Sequence, residues 1–89
     1  MANRKQIIRG IDSLVKDSRT TEDSWTIGIT YGPEERKTEL HNPPQWNCWR
    51  ANSLDEAKAA VDFFAMKEGM RRDPGGVQKM TGTAYVYIF

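Results

Sequence analysis

Two segments alternate between the two sides of an extended chain, and they constrain the fold more than anything else in the sequence. In "WTIGITY", residues 25–31, Trp25, Ile27, Ile29 and Tyr31 alternate with Thr26, Gly28 and Thr30. In "TAYVYIF", residues 83–89, Tyr85, Tyr87 and Phe89 alternate with Ala84, Val86 and Ile88. A period of two sends successive side chains to opposite faces of a strand, so both segments read as strands. The second runs apolar to the last residue, which suits a strand well inside a sheet or paired across an interface. Gly28 falls among small residues, where another group can approach the backbone closely.

Helical patterns separate and precede these strands. Over residues 3–17, Ile7, Ile8, Ile11, Leu14 and Val15 recur at helical spacing with basic residues largely opposite, and Gly10 weakens the helix. After "DSRTTEDS", a loop by composition, and the first strand, Gly32-Pro33 with Glu34 and Glu35 reads as a helix start. Proline fits the first turn and acidic side chains favour the positive end of the helix dipole. That short helix is expected to reach about His41, where "NPP" ends it. Ser53 and Glu56 have capping-box spacing, and Leu54, Ala57, Val61, Phe64 and Ala65 define one face of a helix to about Lys67 or Glu68, with Gly69 placed to stop it. "QWNCWRA", 45–51, is short enough to be a strand or an extended connection.

The resulting expectation is a small α+β fold, one domain over residues 1–89. It has a two- or three-stranded sheet packed with an N-terminal helix and one long central helix. The 25–31 and 83–89 strands pair centrally and the helices cover one face. So narrow a sheet leaves an edge open, and a homodimer through that edge is a reasonable expectation.

Composition bounds the function. The opening "MANRKQIIRGIDSLV" has no unbroken apolar run, which argues against a signal peptide and a membrane span. A single cysteine, Cys48, cannot form an internal disulfide or a cysteine-rich zinc site, so a reducing, cytoplasmic setting is expected and the thiol reads as buried and inert. The net charge of +1 is distributed unevenly: residues 1–19 sum to +3 and residues 20–41 to −3. Any nucleic-acid contact must therefore rely on a local patch.

Candidate functional residues are few. Arg36 and His41 are the reactive pair nearest the first strand, but five residues apart on a regular helix they lie about 140° apart around the axis. Trp46 and Trp49 with Arg50 could stack bases or anchor a partner, although large aromatics in so small a domain also supply core and rim. The aromatic side of the last strand, Tyr85, Tyr87 and Phe89, reads as packed under a helix or, if exposed, as a binding platform. Arg71 and Arg72 before "DPGG" could hold a phosphate against loop amides or simply be solvated, and the segment lacks the ending of a P-loop.

The stretch "TIGITYGPEERKTELH", residues 26–41, resembles the second half of the GIY-YIG nuclease signature: a strand closing on a glycine, a polar turn with proline, then a helix carrying arginine and histidine. Gly28 takes the glycine position and Arg36 the helix arginine. The second half, "WRANSLDEAKAAVDFF" through "YVYIF", resembles short bacterial and phage proteins that pair such a motif with a Tyr-Val-Tyr ending. This resemblance implies a nuclease in which arginine supports the scissile phosphate, histidine and tyrosines activate water, and a glutamate holds a divalent metal. By order, Glu56 and Glu68 are the candidates for that glutamate. Thr26 stands where the family has a tyrosine, and His41 falls one residue beyond the family's histidine. The favoured expectation is therefore a non-catalytic accessory module, needing no cofactor, that binds protein or nucleic acid through Trp46, Trp49, Arg50, Arg71 and Arg72. The alternative is a divergent metal-dependent nuclease using Arg36 and His41.

Overall fold

The computed structural model describes residues 2–73 and 82–89. Helix α1 (Arg4–Asp17) leads into strand β1 (Thr26–Thr30), short helix α2 (Pro33–Glu39), strand β2 (Asn47–Arg50), helix α3 (Leu54–Asp62) with a π-turn over Phe63–Lys67, a two-residue strand β3 (Arg71–Arg72) and strand β4 (Tyr85–Ile88). The strands form one four-stranded sheet in the order β2-β4-β1-β3. Strands β1 and β4 pair at its centre, as expected, and do so antiparallel with Ile27 opposite Ile88 and Gly28 opposite Tyr87. The sheet is wider than two or three strands because residues 47–50 pair antiparallel with β4 and Arg71–Arg72 add a parallel edge to β1. Both additions are too short to carry a period of their own.

Helices α1 and α3 cover one sheet face. Ile7, Ile11 and Val15 from α1, Ala57, Ala60 and Val61 from α3, and Phe64 from the π-turn close over Ile27, Ile29, Val86 and Ile88 in a single buried cluster. The central helical run reaches Lys67, but it is regular α-helix only over Leu54–Asp62 and turns to π over Phe63–Lys67, so α1 is the longer α-helix; α1 starts on a capping box. The Asn3 side chain accepts from the Gln6 backbone N–H and Gln6 answers to the Asn3 N–H. Gly10 is more than a weak helix residue, because a Cβ there would lie 2.6 Å from the Trp49 indole nitrogen. At α3 only half of the expected capping box forms. Ser53 accepts from the Glu56 N–H at 3.2 Å, while the Glu56 carboxylate instead takes the Arg4 N–H at 2.6 Å and ties α3 to the start of α1. Gly69, at φ +78°, ends the segment in the left-handed region, as glycine can at low cost.

Candidate functional site

The second sheet face is built differently. Register places Gly28, Tyr87 and Cys48 side by side on it, flanked by Thr30, Tyr85 and Arg50 and, at the parallel edge, by Thr26 and Arg71. α2, which buries none of its own residues, contributes Arg36 to this face. Glycine at position 28 is what admits Tyr87. A Cβ would stand 2.5 Å from the tyrosine hydroxyl, so the ring lies across the bare backbone of β1 with none of its surface exposed.

The Tyr87 hydroxyl donates to Asp73 in a short hydrogen bond and accepts from Arg36 Nε at 3.3 Å. Arg36 Nη2 bridges both Asp73 oxygens at 2.9 and 2.8 Å, while Nη1 reaches Glu39 at 3.2 Å. The Arg36 and Asp73 side chains are 12% and 9% exposed, so this ion pair is shielded and hydrogen-bonded on several sides. Burial alone would lower the Arg36 pKa, but the bonds to Asp73, Tyr87 and Glu39 outweigh it and hold the guanidinium charged beyond its ordinary range. Burial, joined by the bond to Asp73, pushes the Tyr87 phenol well above its ordinary value near 10 against the opposing pull of Arg36. In the folded protein Tyr87 is thus a neutral donor bound to a carboxylate.

Trp46, in the connection before β2, lies over this cluster. Its ring stacks on Tyr87 at 4.8 Å and 22°, and on Phe89 at 6.2 Å and 25°; Tyr87 and Phe89 are themselves parallel at 6.0 Å. Trp46, Phe89 and Tyr85 remain partly open to solvent beside exposed Arg50 and Arg71. The aromatic side of β4 is therefore not packed under either long helix, and α2 with Trp46 covers it in part. Cys48 is exposed on the same face rather than buried. Partial desolvation still raises its thiol, opposed by a hydrogen bond from Trp46 and the charge of Lys37.

The sequence-level candidates divide between the two faces. Trp46, Arg50 and Arg71 share the open face with Arg36. Trp49 lies on the helical face against Gly10 and the core, and Arg72 points to that side, where it pairs with Asp62 of α3 at 2.8 Å. They are not one binding set, because neighbouring residues of a strand face opposite ways. The remainder of the "DPGG" loop, residues 74–76, lies outside the described residues.

His41 is not on α2. The helix ends at Glu39, and the Asn42 N–H returns to the Lys37 carbonyl at 2.8 Å, closing a Schellman turn in which His41 takes the left-handed position at φ 63°. The histidine is exposed, and the angular argument for a shared helix face does not apply. Glu56 is committed to Arg4 and Glu68 is exposed, so neither meets Arg36; its carboxylate partners are Glu39, at the exposed side, and the shielded Asp73, which motif reading passed over as a turn residue. The signal that could have found it is the pairing of a small Gly28 with a facing tyrosine, which creates a niche where an arginine needs a counter-charge. Among the described residues, no three histidine, cysteine or acidic side chains gather as a metal-binding group, and no helix is long and apolar enough to cross a membrane. Comparison with protein-family models, curated proteins and solved structures finds no match to this chain.

Proposed function

We propose that the protein is a small non-catalytic binding module, on a GIY-YIG-like scaffold, whose open sheet face takes single-stranded nucleic acid. The observation that carries this reading is the partly open pair Trp46 and Phe89, seated on buried Tyr87 and flanked by Arg50 and Arg71. Stacking surfaces for bases beside cations for the backbone are what sequence-tolerant recognition of single strands uses. Arg36, the residue a nuclease would direct at the phosphate, is instead engaged by Asp73, Tyr87 and Glu39, and serves to seat the aromatic platform.

One observation favours a second reading. A carboxylate faces Arg36 across the fold and a tyrosine hydroxyl touches both, which are group types that metal-dependent cleavage of a phosphodiester employs. Incubation of a supercoiled plasmid and a labelled single strand with the protein and magnesium or manganese separates the two. The binding module leaves both intact, and Trp46→Ala weakens retention of the single strand by about tenfold or more, since a stacked base contributes roughly 1–3 kcal/mol. Cleavage that disappears in Arg36→Lys would establish the nuclease instead, and retention of a protein partner by the same face without any nucleic-acid binding would change the partner class.

A further inference from the structure

On the opposite side of the molecule, the first turns of α1 and the end of α3 leave an open groove of about 630 Å³. Its floor is apolar: Ile8, Ala59 and Phe63 are half-buried, and Met66 stands at its margin with 78% of its surface exposed. Met66 and Phe63 belong to the π-turn at Phe63–Lys67, a form that occurs mostly as single turns and frequently at functional sites. Methionine suits such a wall because its flexible thioether adapts to different apolar shapes.

The rim is cationic. Arg4, Lys5 and Lys67 line it, and Lys67 lies 5.7 Å from the centre of the Phe63 ring. Asp62, the acidic residue of the lining, is already paired with Arg72. Among the described residues, Arg4, Lys5 and Lys67 have no ion-pair partner. Arg4 and Lys5 also sit at the start of a helix. They occupy the first turn of α1, which holds no acidic side chain of its own, and the Glu56 carboxylate of α3 meets the Arg4 N–H there.

We propose that this groove docks an acidic, amphipathic segment of a partner protein, with one bulky apolar side chain entering beside Met66 and Phe63 and carboxylates meeting Arg4, Lys5 and Lys67. Charge complementarity selects this occupant. The three cations of the rim favour anions, while the apolar floor favours a side chain over a bare phosphate backbone. The groove lies on the helical side, away from the aromatic platform, so the two surfaces can be occupied independently.

The test uses a labelled helical peptide with a leucine–phenylalanine stripe and glutamates on its flanks, titrated into the intact protein by fluorescence anisotropy. A lysine-for-glutamate counterpart and vesicles of phosphatidylglycerol with phosphatidylcholine serve as comparisons. Saturable binding of the acidic peptide, with the Met66 methyl resonance shifted and affinity reduced at least tenfold in both M66E and K67E, is the expected result. Both positions are exposed, so the variants keep the fold, and circular dichroism verifies it. Equal binding of the basic peptide, unchanged affinity in both variants, no binding of the acidic peptide, or preferential binding to vesicles would each overturn the proposal.

Discussion

Tyr87 performs two tasks, and both depend on Gly28. Its ring supports Trp46, and its hydroxyl links Asp73 to Arg36. Gly28→Ala places a methyl group where the tyrosine hydroxyl lies, with backbone beneath it, so the ring must shift. Overpacking of this kind is expected to lower stability by about 1–3 kcal/mol and to weaken the Trp46 stack, read as a change in near-ultraviolet circular dichroism. Tyr87→Phe leaves the ring in place but removes a donor from a shielded carboxylate, at a cost of about 1–3 kcal/mol in denaturant unfolding. The two variants also differ in pH behaviour. Because the folded-state phenol is raised above its ordinary value, its stabilisation is fully present below about pH 10 and is lost as pH rises further through the folded value. Between about pH 8 and about pH 10.5, the urea midpoint of the wild type should fall more than that of Tyr87→Phe. Parallel curves would mean that the hydroxyl is not held as described.

At the scale of single elements, the end of α2 gives the sharpest separation between scaffold and chemistry. His41 occupies a left-handed cap position that glycine fills without a Cβ penalty, and the penalty for other residues is roughly 1–2 kcal/mol. His41→Gly is therefore expected to raise stability by about 1 kcal/mol and to leave oligonucleotide binding unchanged. A catalytic histidine would show the reverse pattern, with function lost whatever the stability. How far each element could be read from sequence follows the range of the interactions that define it. The alternation over residues 25–31 and 83–89 and the helical period of α1 make two central strands and an N-terminal helix legible, but they leave open which side of β4 the helices cover, which is the aliphatic side. β2 and β3 span four and two residues, so their strand character comes from the neighbour they join. The π-turn is likewise invisible in a pattern that continues the apolar face of α3. The Arg36 cluster joins residues 37 and 51 positions apart, with no local signal at Asp73, and the cap at His41 uses a residue type in which glycine or asparagine would have been the cue.

The whole molecule is a sheet with two unlike faces. One is a continuous apolar core under α1 and α3. The other is a smaller layer in which a shielded ion pair and an aromatic stack replace aliphatic packing. Phe64 lies fully buried where the π-turn meets the core, in edge contact with Phe63 at 5.1 Å. Phe64→Ala is expected to cost about 3–5 kcal/mol. A domain of this size is stable by only roughly 5–15 kcal/mol, so the variant should melt many degrees lower in differential scanning calorimetry. The open face is not crossed by that core, and a change at exposed Arg50 should alter binding with little effect on melting, whereas Trp46→Ala also uncovers Tyr87 and should lower the melting temperature. The most direct test of the account is the affinity for a labelled single-stranded oligonucleotide measured across a salt series, for the wild type and Trp46→Ala. The account predicts saturable binding at low salt that falls linearly on a logarithmic scale, with a slope of about −0.7 per phosphate contacted, and a weakening of about tenfold or more in the variant at every salt concentration. Absence of binding at low salt, or binding indifferent to Trp46, would contradict it.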